Sequence, residues 1–137
     1  MSRDRVLLVA RLLSGGVFIA FGAGKFANHA SELASFKSYG LPAPEPFVVA
    51  IGVIELVGGL LLIAGVLTRP TALVLAGDMV GAIVVSGIAK GEPISLTLAP
   101  AELILMLTLL WTGSGAHSLR RSPPAGVSAR RVAQLLR

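Results

Sequence analysis

Apolar residues gather in four runs, 6–24, 47–67, 71–89 and 94–112, and polar residues are pushed into the gaps between them. Each run matches the roughly 20 residues that a helix needs to cross a hydrocarbon core of about 30 Å. The runs are apolar almost all round, whereas helices of a water-soluble bundle keep a polar face. The pattern predicts an all-α integral membrane four-helix bundle over residues 1–115, followed by a basic tail, 116–137. The gap between runs two and three contains only Thr68, Arg69 and Pro70, a very tight turn that makes those spans antiparallel neighbours. The first gap is long. Leu33, Phe36 and Tyr39 recur there every three residues between Ser31 and Gly40, predicting a short interfacial helix. Pro42, Pro44 and Pro46 then force an extended approach to the second span.

Composition sharpens this picture. Of 137 residues, 54% are hydrophobic and 14% charged, against roughly 25% charge in an average soluble domain. There is no cysteine, which excludes disulfides, thiolate metal sites and thiol redox chemistry on this chain. Arg3 and Arg5 before an apolar run resemble the start of a signal peptide, but Arg11 interrupts the run and three spans follow.

The net charge of +5 is a topology signal. Arg3, Arg5, Arg69, Arg120, Arg121, Arg130, Arg131 and Arg137 fall on one side, and Lys25, Lys37 and Lys90 on the other. Basic residues favour the cytoplasmic side, so both termini are expected there, in a bacterial plasma membrane. The charge lies beside spans without interleaved aromatics, which argues against nucleic acid as a partner. Pro123 and Pro124 break the tail. Beyond them Val132, Leu135 and Leu136 stand among Arg130, Arg131 and Arg137, fitting either a segment on anionic lipid or an unstructured tail.

Every span carries an ionisable residue: Arg11 and Lys25 in the first, then Glu55, Asp78 and Glu102. Such groups are expensive in lipid and face the bundle interior, usually paired. At 1.5 Å per residue, Arg11 lies ~8 Å and Asp78 ~10 Å from the cytoplasmic starts of their runs, predicting an inner Arg11–Asp78 pair. Glu55 and Glu102 each lie ~12 Å from the outer face, near the reach of Lys25, predicting an outer Lys25–Glu55–Glu102 cluster. Arg11 and Lys25 share a stripe with Gly15, Phe18 and Gly22. Gly58 and Gly59 follow Glu55, and Gly77 and Gly81 flank Asp78. These glycines are expected to let helices approach closely. Pro100, two residues before Glu102, either kinks the fourth span or marks its first turn. The charges read either as salt-bridged glue or as a polar pocket for a ligand, a proton or a quinone. No catalytic residue can be assigned.

Other chemistries drop out. His29 and His117 fall on opposite sides under this topology and cannot share a metal or haem. Glu55 and Glu102 lack the Glu-x-x-His spacing of carboxylate di-iron bundles. Gly22-Ala23-Gly24 lacks a third glycine and sits inside a span, so it is not a dinucleotide loop. Tyr39 and Trp111 read as interfacial anchors.

Taken together, Arg11, Leu12, Leu13, Gly15, Gly16 and Phe18, then Phe21, Gly24, Lys25 and Phe26, resemble the opening of the DoxX family. Gly40–Pro44 resembles its loop, and Glu55, Gly58, Gly59, Gly65, Thr68 and Arg69 resemble its second span and turn. The resemblance covers roughly residues 5–115. It implies a small four-helix bacterial membrane protein. Relatives in that family include the membrane subunit of an archaeal thiosulfate:quinone oxidoreductase, a mycobacterial partner of superoxide dismutase and a sulfurtransferase, and eukaryotic cargo receptors or assembly chaperones. The leading expectation is a redox-associated membrane subunit that docks an oxidoreductase and admits quinone near Lys25, Glu55 and Glu102. The alternatives are a non-catalytic membrane anchor or assembly factor, and a small transporter that would need a second copy of the chain.

Overall fold

The computed structural model describes residues 2–115, whose regular elements are all helical, with no strand among them. The predicted tail and His117 lie outside the described residues. Helix α1 (Arg3–Ala27) starts at Ser2, whose hydroxyl accepts the Arg5 N–H, with Asp4 in the first turn. A side-chain oxygen there satisfies a backbone donor that has no partner within the helix. Asn28 ends α1, and α2 (His29–Ser38) follows at once. Helix α3 (Pro44–Ala64) opens on a proline, whose missing N–H costs nothing at that position.

The turn after α3 is Gly65–Leu67. Gly65 takes φ 73° and its N–H returns to Leu61 and Leu62, while Val66 N–H bonds Leu61. This glycine-ended closure satisfies the last carbonyls of the helix. Thr68, Arg69 and Pro70 do not form the turn that the run lengths predict. They are the first residues of α4 (Thr68–Ala82), because a proline is compatible with a first helical turn. Helix α4 continues into a π-helical turn, Ile83–Ile88, and α5 (Pro93–Thr112) runs through Pro100 without a break.

The four long helices Arg3–Ala27, Pro44–Ala64, Thr68–Ile88 and Pro93–Thr112 are each long and apolar enough to span a membrane. Their outward faces carry large apolar side chains, among them Leu13, Leu60, Leu73 and Ile104. Trp111 is 86% exposed, and water would not tolerate such a surface at this density.

Helix α1 packs along α3 and α4 along α5, while α1 and α5 meet only briefly. The α1–α3 contact is backbone on backbone. A Cβ on Gly15 would lie 2.7 Å from the Gly59 carbonyl, and one on Gly59 would lie 2.6 Å from the Gly15 carbonyl. A Cβ on Gly22 would meet Leu56 N at 2.7 Å and the Gly52 carbonyl at 2.8 Å. Gly58 receives Leu75 of α4. Gly77 and Gly81 differ: a Cβ on either would meet nothing within 4 Å, so they do not pack helices within the chain. Below the cavity described next, Leu62, Leu75, Met106 and Leu109 are fully buried and close the bundle at the Gly65–Leu67 end.

Candidate functional site

Between the α1–α3 pair and the α4–α5 pair lies a cavity of about 520 Å³. Its walls are mostly apolar. Its polar groups come from all four long helices and from α2. Lys25 Nζ lies 3.0 Å from Glu55 Oε1, and both side chains are buried. Asp78 stands beside Glu55 and within electrostatic reach of Lys25. Glu102 lines the same cavity from α5, and Ser14 of α1 faces it without a hydrogen bond of ordinary geometry.

The expected outer cluster therefore gains a member. Asp78 joins Lys25 and Glu55, and Glu102 shares their cavity without an ion pair to Lys25. The expected Arg11–Asp78 pair does not form. Arg11 is fully buried and its Nη1 donates to the Leu62 and Ile63 carbonyls at 3.1 and 3.2 Å. The reason is depth. Glu55, level with Asp78, stands seven residues from Leu62, or about 10 Å along the axis. Helix α4 also begins at Thr68 rather than at residue 71, which moves Asp78 to mid-span.

Two buried carboxylate oxygens face this space without a hydrogen-bond partner among the described residues, Asp78 Oδ2 and Glu102 Oε2. Buried polar atoms are ordinarily paired. Beside an ammonium, such carboxyl groups can hold and pass a proton or receive a ligand's hydroxyl. No group of three His, Cys, Asp or Glu side chains suited to a metal ion occurs among the described residues.

The mouth is built by Tyr39, expected as an interfacial anchor, together with Ser86, Glu92 and Ser95, which the sequence pattern did not single out. Tyr39 ends α2 and donates its hydroxyl to Glu92 Oε1 at 2.9 Å, so it is a cross-link over the cavity as well as an aromatic at the helix end. Burial, followed by the hydrogen bond and charge of Glu92, pushes the Tyr39 phenol up to about 12. Nearby, the π-helical turn directs Ser86 toward Ser95 of α5, and these two hydroxyls are hydrogen-bonded. A π-turn adds a residue to the helical circuit and so re-aims the side chains it carries. His29, at the start of α2, lies 3.6 Å from Glu45 of α3. The available signals were faint. Ser14 is three residues beyond Arg11 on the buried stripe, and Glu92 directly precedes the helix-starting Pro93.

The DoxX family profile matches residues 6–87. A membrane protein of Mycobacterium tuberculosis, described as uncharacterised, is 35% identical over 84% of this chain and 79% of its own. CatD of Bacillus subtilis, provisionally named an oxidoreductase, is 35% identical over 78% of each chain. The inner membrane protein YqjF of Escherichia coli is 33% identical over 86% of this chain and 92% of its own. No solved structure matches.

Proposed function

The chain belongs to the DoxX family of membrane proteins, and from that premise we propose that it is a quinone-linked membrane subunit of an oxidoreductase complex. The carrying observation is the cavity itself. Apolar walls lead to the Lys25–Glu55 bridge, Asp78 and Glu102 at mid-span depth, a design suited to an apolar ring compound with polar oxygens. Reduction of a quinone to a quinol takes up two electrons and two protons. The partner oxidoreductase supplies the electrons, and carboxyl groups at Glu55, Asp78 or Glu102 relay the protons. Lys25 orients the Glu55 carboxylate and neutralises it. The name of the Bacillus subtilis relative lends this reading some support. On the basic-residue distribution, both termini lie in the cytoplasm and the cavity mouth faces the other side.

Glu55→Gln tests the site. The complex purified in mild detergent should lose decylubiquinone binding and quinone reduction. Retention of both overturns the assignment.

A second reading, a membrane anchor or assembly subunit, draws on the Lys25–Glu55 bridge, in which the two charges meet each other within the chain. It is distinguished by what co-elutes with the native protein. A redox enzyme together with quinone favours the subunit, whereas a non-redox membrane partner without quinone favours the anchor.

A further inference from the structure

The cavity has four sides through which a ligand could pass, and its two ends are closed. At the Gly65–Leu67 end, Leu62, Leu75, Met106 and Leu109 are fully buried, and Arg11 is tied to the Leu62 and Ile63 carbonyls. At the opposite end, α2 lies over the opening and Tyr39 is bonded to Glu92. Between α1 and α5, Val17, Phe21 and Leu98 line the cavity with bulky side chains, each half-buried. The fourth side, between α3 and α4, differs. Phe47 on α3 and Val74 on α4 are cavity-lining yet exposed on the outer surface. Beside them on α4, Gly77 and Gly81 are exposed too and present no side chain at all, with open space where a Cβ would stand. Asp78 sits immediately behind them, half-buried, with Oδ2 unpaired.

We propose that the cavity exchanges its ligand sideways with the bilayer through this α3–α4 gap, Gly77 and Gly81 forming the slot and Asp78 meeting the ligand's polar group inside it. The ligand class is then a lipid-soluble ring compound with hydroxyl or carbonyl oxygens, which rests on the quinone reading above. A carboxylate at mid-span beside a lipid-facing gap is costly. An arriving polar group gives it a partner. A second copy of the chain is the competing occupant, since paired small residues also join membrane helices. The gap, however, opens into a cavity of about 520 Å³ and is no flat face for a neighbouring helix.

The chain has no cysteine, so Gly77→Cys and Gly81→Cys each provide a single thiol, placed where the fold has room. The full chain in lipid nanodiscs, nitroxide-labelled at either position, should collide more with oxygen dissolved in lipid than with a water-soluble nickel chelate. The labels should show no dipolar coupling to each other. Nickel-dominated collisions, or coupling between two copies, overturn the proposal. In parallel, Gly77→Phe and Gly81→Phe should slow both uptake and release of decylubiquinone about tenfold, as closing a gate does. Unchanged exchange rates overturn the route. Failure of the unmodified protein to bind decylubiquinone would overturn the quinone reading, and the collision experiment would then decide the lateral opening alone.

Discussion

Gly59→Ala probes the α1–α3 seam with one methyl group. The new Cβ would stand 2.6 Å from the Gly15 carbonyl and 2.8 Å from Ile19 Cγ1. The first neighbour is backbone and cannot swing away. To restore ordinary contact the helices must part by about 0.8 Å locally, a gap that forfeits a quarter to a half of each dispersion well it opens. Overpacking of this kind costs about 1–3 kcal/mol. The helical preference of alanine over glycine returns about 1 kcal/mol, leaving a net loss of about 0–2 kcal/mol. Gly77→Ala is the internal control. It has the same chemistry but open space around the Cβ, so only the propensity gain of about 0.5–1 kcal/mol remains. Reversible unfolding of both variants in mixed micelles against a denaturing detergent measures the difference. If Gly59→Ala proves as stable as Gly77→Ala, the backbone-contact account of this seam is wrong.

Lys25→Met should cost about 3–5 kcal/mol by leaving Glu55 buried without its cation, and adding Glu55→Leu should recover part of that loss. Equal stability of the single and double variants in the same unfolding assay would refute the bridge. Tyr39 is the sole tyrosine, so an ultraviolet titration reads it alone. Its midpoint should fall near 12 and move down in Glu92→Gln, and a midpoint near 10 in both proteins would dissolve the cross-link. Because folding raises this phenol, the stability it lends is whole below pH 10 and fades as the pH rises through about 12. In right-side-out vesicles, Lys37→Cys should react with an impermeant maleimide and Arg69→Cys should not. The opposite pattern reverses the topology.

The spans were legible because length and apolarity suffice to recognise a helix in lipid. Their ends were less so. Pro70 looks like a turn residue, yet a first helical turn accepts it, and this one shift moved Asp78 to mid-span and away from Arg11. Lys25 and Glu55 could be paired from depth and face, since each lies on the buried stripe of its helix. The glycines divided in a way that spacing cannot reveal: Gly15, Gly22 and Gly59 touch a neighbour's backbone, whereas Gly77 and Gly81 face open space. Tyr39–Glu92 joins residues that only the folded chain brings together, and the π-turn that sets Ser86 toward Ser95 has no compositional signature.

The pairing of α1 with α3, and of α4 with α5, also orders the protein's biogenesis. Lys25 and Arg11 emerge from the ribosome before Glu55 and the Leu62 and Ile63 carbonyls that they meet in α3. The first helix must therefore linger at the insertion machinery, or in contact with lipid headgroups, until α3 arrives. Helices α4 and α5 carry no such debt, because their shared core forms within one hairpin. Gly65–Leu67 is thus a natural pause between two insertion steps, and a nick there leaves both helix pairs whole.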